Sequence, residues 1–544
     1  MPPRGQRSHV KTGCQTCKVR RVKCDEARPI CLKCTHSGRI CSGYGVWGGG
    51  SFHAPINVND LSNHHRTTAL GRYNTGLELV NKTDEEKRAF EFFCRSPSLK
   101  ISGMFKSKFW DLLLVQLSLS EPVVFHALVA IGSSFRGSRA KEPLAVQRDD
   151  RLSLQSYNRA IQQIGHLLKQ RDPHSIRVAA VTCILFICIE MLRRRQTMVA
   201  KHYHYGLELL QEVQKQRQPI DKLITDAFSR ITMHLNLLGQ TSQTLYGIPS
   251  LPGPIPVLRS NDTFPTLDSA KDALEHLWTS VFELQGQAEQ IGLEKTSVPP
   301  DLVRRQTNLR VQLSTWKDMF HESMRTTLAN PTAMELIKSR MLRSYHIMAG
   351  IVLGQCLSGR EIAYDAFTPD FAAMLSQVIE TLRLSGCYGV FQPGQPKICD
   401  ADGSFSLEMG GYPTIYFIAM KCRVPRLRRQ AIRLLRGARH NEGIATGPIL
   451  YQIACKIMSL EDPNNTASGF GGSGMVSDTG PSEALVPEES RFHNVKIALS
   501  LDETGGTAEL TCTKYRSGAT PGWETTKHSI DLAIGPKFEG LPNI

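Results

Sequence analysis

Apolar residues recur at helical spacing through most of the middle of this chain, from about Glu85 to Asp462. The segments 107–118, 122–135, 151–170, 175–194, 203–216, 222–239, 268–291, 332–356 and 369–384 each repeat hydrophobic positions every three to four residues. That period predicts a helix for each of them. Ser120-Glu121-Pro122 reads as a helix start, with Ser120 as N-cap and proline in the first turn. The longest apolar run extends from Val178 to Ile189 and is bounded by Arg177 and Glu190. A bilayer needs about 20 such residues, so the run reads as a buried core helix and not as a membrane span. No period recurs among the helices that would mark a repeat architecture.

The pattern lapses in two places. From Ser42 to about Asn81 the chain turns to Gly, Asn, Ser and His, the composition of a flexible linker. No sustained heptad follows there, so no coiled coil is predicted. Beyond Glu461, Phe470-Gly471-Gly472-Ser473-Gly474 and the Ser/Pro/Glu stretch after it read as disordered. Val495 to Leu501 and Ala508 to Tyr515, around Thr504-Gly505-Gly506, then predict a β-hairpin. Segment 425–439 sets Leu427, Ala431, Leu434 and Leu435 on one stripe and Arg426, Arg429, Arg433 and Arg436 on the opposite one. It is expected to be a packed helix with a solvated basic face.

Composition changes this picture little: 41% hydrophobic and 21% charged residues in 544 are globular values and exclude wholesale disorder. Charge changes it more. The net +15 is concentrated at the N-terminus, where residues 1–50 hold ten Lys/Arg against Asp25 and Glu26, leaving +7 for the rest. An anionic partner is therefore expected for the first 50 residues.

The cysteines fall in the same place. Six of the 15 lie at 14, 17, 24, 31, 34 and 41, and the spacing of Cys14/Cys17/Cys24 repeats as Cys31/Cys34/Cys41. Met1-Pro2-Pro3-Arg4-Gly5 has no apolar secretory stretch, so metal is favoured over disulfides. Each half-site offers three sulfurs where tetrahedral zinc needs four. Six ligands serve two ions if two thiolates bridge both, which favours a binuclear cluster.

The stretch Gly13-Cys14-Gln15-Thr16-Cys17-Lys18-Val19-Arg20-Arg21-Val22-Lys23-Cys24-Asp25-Glu26, with Pro29-Ile30-Cys31-Leu32-Lys33-Cys34 and Gly38-Arg39-Ile40-Cys41, resembles the fungal binuclear zinc-cluster (Zn2Cys6) transcription factors. The resemblance implies two short helices around two zinc ions, Zn(2+), per chain. Cys14 and Cys31 would be the bridging ligands, Cys17 and Cys24 would complete one zinc, and Cys34 and Cys41 the other. Pro29 matches the family's loop proline. Arg20 and Arg21 fall on the positions from which family members read a CGG-like triplet, and arginine matches guanine O6 and N7 in the major groove. Lys18, Lys23, Arg28, Lys33 and Arg39 are expected on phosphates. Phe109-Trp110, Gln116, Ser120-Glu121-Pro122 and His126-Ala127 resemble, more loosely, the helical regulatory region of a subfamily of these factors.

The expected organisation is a zinc-cluster DNA-binding domain at 10–44, a linker at 45–84, a mainly α-helical regulatory region at 85–462, and a Gly/Ser-rich stretch with a β-hairpin at 463–544. No catalytic residue is proposed, because no P-loop, G-x-S-x-G or H-E-x-x-H motif occurs. His202 and His204 point to different faces and read as ordinary helix surface. Cys183 and Cys188 read as inert buried thiols. The function expected is a nuclear, sequence-specific DNA-binding regulator of RNA polymerase II genes. Its partners would be double-stranded DNA, a second copy paired through the helical region, and the transcription machinery, with no membrane. The competing readings are a zinc-tethered enzyme and an architectural or RNA-binding zinc protein.

Overall fold

In a computed structural model, and apart from short breaks, residues 14–41, 82–95, 101–238, 258–291, 298–385, 405–462 and 485–533 are described. The linker up to residue 81 and the Gly/Ser-rich stretch 463–484 lie outside these residues. The described chain is largely helical and divides into two compact units. One comprises Met1–Leu99, Ser107–Leu192 and Thr197–Ala227; the other comprises Lys100–Lys106, Arg193–Gln196 and Phe228–Ile544.

The first unit contains α1 (Leu32–His36) of the cysteine module, α2 (Asp84–Arg95), α3 (Leu114–Ser120, entered through a π-turn at Phe109–Leu113), α4 (Pro122–Gly137), α5 (Pro143–Gln170), α6 (Pro173–Leu192) and most of α7 (Gln196–Lys215). Helix α4 is its centre and packs on α2, α3, α5 and α6. Gly132 lets α2 come close, since a Cβ there would meet Ala89 O at 2.2 Å. Ser120 is not the N-cap that the sequence suggested. It ends α3, with its Oγ donating to Leu117 O, while Glu121 caps α4 and Pro122 takes the first helical position. Helix α6 is buried nearly all round, as its unbroken apolar run requires, and it extends beyond that run in both directions. Cys183 and Cys188 are buried in it, and burial pushes the Cys183 thiol up to about 12.

One correction concerns His202. It is not plain surface: its Nε2 meets the Tyr157 hydroxyl at 3.1 Å, and that hydroxyl donates to Glu190 at 2.7 Å. Its ring lies edge-on to Phe186, and burial lowers its pKa. His204 is exposed beside Glu208.

The second unit is built on α9 (Leu267–Ile291), α10 (Pro300–Arg325), α11 (Ala333–Gln355) and α12 (Thr368–Leu384, preceded by a 3-10 turn, Glu361–Phe367), followed by α13 (Tyr412–Lys421), α14 (Pro425–Arg436) and α15 (Gly447–Glu461). Helix α8 (Lys222–Leu237) belongs in part to each unit. Thr332 and Glu335 form a reciprocal capping box that starts α11. Strands β1 (Phe405–Ser406), β2 (Asn441–Glu442) and β3 (Ala445–Thr446) make a small sheet that carries Glu442 beneath α13. The fully buried Glu442 carboxylate accepts from the Gly411 and Tyr412 amides at 2.7 and 3.0 Å. Gly410 must lack a side chain, because a Cβ would lie 2.2 Å from that carboxylate.

Helix α14 is amphipathic, with Arg426 and Arg433 exposed. Its Arg428, however, is buried and pairs with Glu461 at 2.7 Å, beside Arg423, which meets Glu461 and Glu361 at 2.7 and 2.9 Å. Burial alone would raise the Glu461 pKa; the two guanidiniums reverse that and hold it at about 2. The C-terminal hairpin is present and extended to three antiparallel strands, β4 (Asn494–Leu501), β5 (Gly505–Arg516) and β6 (Gly522–Ala533), in that order. Arg491, fully buried, ties the sheet to the helices through both oxygens of Asp365 and the carbonyls of Val486 and Glu361.

Candidate metal centre and nucleic-acid interface

Among the described residues of 14–41, the buried cluster consists of the six cysteines. Cys31 caps α1, its Sγ accepting from the Cys34 amide at 3.3 Å. The Cys17 amide points at Cys14 Sγ, and the Cys14 and Glu26 amides point at Cys24 Sγ, each at 3.4 Å. Amide hydrogens aimed at sulfur favour the thiolate and orient it.

The sulfurs form two overlapping groups, Cys14/Cys17/Cys24/Cys31 and Cys14/Cys31/Cys34/Cys41, each with all sulfurs within 4.8 Å of one another. Cys14 and Cys31 belong to both, and their sulfurs are 3.6 Å apart. Cys17–Cys31 is 3.5 Å and Cys14–Cys34 is 3.7 Å. Zinc–sulfur bonds of about 2.3 Å in a tetrahedron require sulfurs about 3.8 Å apart, so the donor set fits zinc. Thiols packed this closely resist ionising without a cation. Hydrogen bonding from Cys41 and burial raise Cys14, burial raises Cys31, and Cys34 is pushed up to about 11, chiefly by burial.

Asp25 and Arg20, among the described residues, join the two lobes of the module. Asp25 Oδ1 accepts from the Ala27 and Leu32 amides at 3.1 Å, and Oδ2 accepts from Lys33 N at 3.0 Å, so the carboxylate sits at the start of α1. Arg20 Nη1 donates to Ser37 Oγ at 2.8 Å, at the end of the same helix. Sequence reasoning counted Asp25 only as a charge; its position directly after Cys24 was the available signal. Glu26 turns the chain with φ of +60°. Among the residues expected on DNA, Lys23 and Lys33 are exposed and Arg20 and Arg39 half-buried, while Lys18, Arg21 and Arg28 lie outside the described residues.

The fungal Zn(2)-Cys(6) binuclear cluster domain matches residues 12–46, and the fungal specific transcription factor domain matches residues 90–385. The chain belongs to this family of fungal transcription regulators. The zinc-cluster regulator is 24% identical over 435 residues to the aspercryptin biosynthesis cluster-specific transcription regulator of Emericella nidulans, covering 75% of this chain and 68% of that one. It is 32% identical over 158 residues to an uncharacterized transcriptional regulatory protein of Schizosaccharomyces pombe, 28% of each chain. White-opaque regulator 2 of Candida albicans is 51% identical over 35 residues, covering 6% of this chain and 8% of that one. No solved structure matches the regulator.

Proposed function

We propose that this regulator acts in the nucleus as a sequence-specific DNA-binding protein at RNA polymerase II genes, reading a CGG-like triplet through a cluster of two zinc ions. The observation that supports it best is the pair of cysteine groups sharing Cys14 and Cys31, set within the most basic part of the chain. Cys14 and Cys31, common to both groups, would serve both ions, Cys17 and Cys24 would complete one shell, and Cys34 and Cys41 the other. Arg21, with Arg20 beside it, reads guanine in the major groove, while Lys18, Lys23, Arg28, Lys33 and Arg39 contact phosphate. Arg20 has a second task, since its guanidinium also holds Ser37.

The module occupies residues 10–44, a linker follows to about 84, and the helical region and C-terminal sheet regulate. A single triplet cannot select one site among the millions in a genome, so a second copy of the chain, paired through the helical region, supplies another. The transcription machinery is the remaining partner. Binding of CGG-containing and scrambled duplexes by the whole chain tests the reading. Arg21→Ala should cost roughly 1–3 kcal/mol on the CGG probe and flatten discrimination. Lys33→Ala should weaken both probes equally and lower the salt slope by about one unit. Equal loss on both probes for Arg21→Ala would make it a phosphate contact.

A further inference from the structure

The two edges of the C-terminal sheet are treated differently. On β4, the Gln196 side chain donates its Nε2 to Ile497 O at 3.0 Å and accepts from the Leu499 amide at Oε1. A side-chain amide thus takes two adjacent hydrogen-bonding groups in the middle of that edge, as one peptide of a neighbouring strand would. On the far side of β6, among the described residues, no strand is paired.

The direction of the free groups follows from the register. Ile497 and Leu499 point outward, so Ala498 between them points at β5, opposite Glu509. Glu509 therefore spends its backbone groups on β4, and its opposite number on β6, Ser529, points away from β5. By alternation the N–H and C=O of Thr525, Lys527, Ser529, Asp531 and Ala533 all face the open edge. A 12-residue strand with such an edge is long for one left bare.

We propose that β6 pairs with β6 of a second copy of this chain, antiparallel, about a two-fold axis at Ser529. Such an axis, perpendicular to the sheet, sets residues on the same face opposite one another. Centred on Ser529 it places Lys527 opposite Asp531, twice, and Thr525 opposite Ala533, twice. All of these are positions whose backbone groups face outward. Centring on Lys527 or Asp531 would set like charges opposite each other, and no other centre within β6 sets opposite charges directly across. Lys527 and Asp531 are exposed, with Lys527 3.8 Å from Glu509 on the same face. On the other face His528 lies opposite Ile530 and Thr526 opposite Leu532, and the half-buried state of the first three is the surface that pairing would cover. The result is a continuous six-stranded sheet. The contact needs no DNA and no zinc, so its failure is separable from that of the DNA-binding reading.

The test is the mass of the full chain in solution by light scattering, together with backbone hydrogen exchange. A dimer is expected. Ser529→Pro removes an outward amide without breaking the ladder to β5 and should give a monomer of unchanged thermal stability. Lys527→Asp or Asp531→Lys alone should weaken the dimer at least about tenfold, and the two together should restore much of it. A monomeric wild-type chain would overturn the proposal, as would a dimer indifferent to Ser529→Pro or charge-swap variants without rescue. A monomer whose Lys527, Ser529 and Asp531 amides are protected would assign the edge to another segment of this chain, and would overturn it too.

Discussion

Asp25 carries three backbone amides on one carboxylate and does so across the two lobes of the cysteine module. Asp25→Ala should remove about 1–2 kcal/mol of module stability, seen as faster zinc transfer to a chelator with the helical units unaffected. His126 offers a second residue-scale test. Burial lowers its pKa to about 4, helped by Lys82 and Arg159 and opposed by Glu86. The unfolded chain takes up this proton near pH 6.5 and the folded chain only near 4, so stability falls as pH drops through that window. The melting temperature should therefore decline between about pH 7 and pH 5, and less steeply in His126→Gln. At this scale the gathering of the six cysteines was legible because their spacing repeats. Asp25 was not, because its work depends on the backbone of α1 arriving opposite it. Nor was the half-buried place of His202, whose partner Tyr157 comes from another helix and donates in turn to Glu190.

Among the elements, most amphipathic helices were readable, and α2, α10, α13 and α15 were not singled out. Helix α10 places Leu302, Gln306, Leu309, Leu313, Trp316, Phe320 and Ser323 on its buried side. Its four-three spacing is regular, but Gln306 and Ser323 fill core positions and interrupt the apolar signal; Gln306 is satisfied by Leu353 O at 2.7 Å and Ser323 by Met319 O. Helices α13 and α15 are short and buried on most sides, which removes the polar face that periodicity needs. Strand β6 was missed for the opposite reason: it alternates polar with polar, as an edge strand can. Arg491 is one of several attachments of the sheet, beside Gln196 and the Lys421 bond to His493 O. Arg491→Met should destabilise the second unit by about 2–4 kcal/mol, because Asp365 loses its bidentate partner. Cleavage by a protease between residues 462 and 494 should then outpace that of the wild-type chain.

For the whole molecule, the cysteine module and the helical units are held together by different forces. Among its described residues the module's buried cluster is made of cysteines, and structural zinc contributes about 10–16 kcal/mol in comparable modules. The helical units bury large aromatic and aliphatic cores of their own. Chelation should abolish DNA binding while leaving helical circular dichroism and the main melting transition intact, and metal analysis should return two zinc ions per chain. Cys14→Ala or Cys31→Ala should lose both, whereas Cys24→Ala or Cys41→Ala should retain one in part. The split of 85–462 into two units was not legible, since helical periodicity continues without interruption through α8.

Gln196 also limits how far assembly can proceed. A sheet with two bare edges adds neighbours at both ends and grows without limit. Here the middle of one rim is already covered by an amide from its own chain, across Ile497 O and Leu499 N. Joining two copies at β6 therefore leaves an obstructed rim at each end, which favours association that stops at two with point-group closure. Gln196→Ala would reopen both ends, and the variant should progress from discrete dimers to turbid, fibre-forming solutions at concentrations where the wild-type chain stays clear.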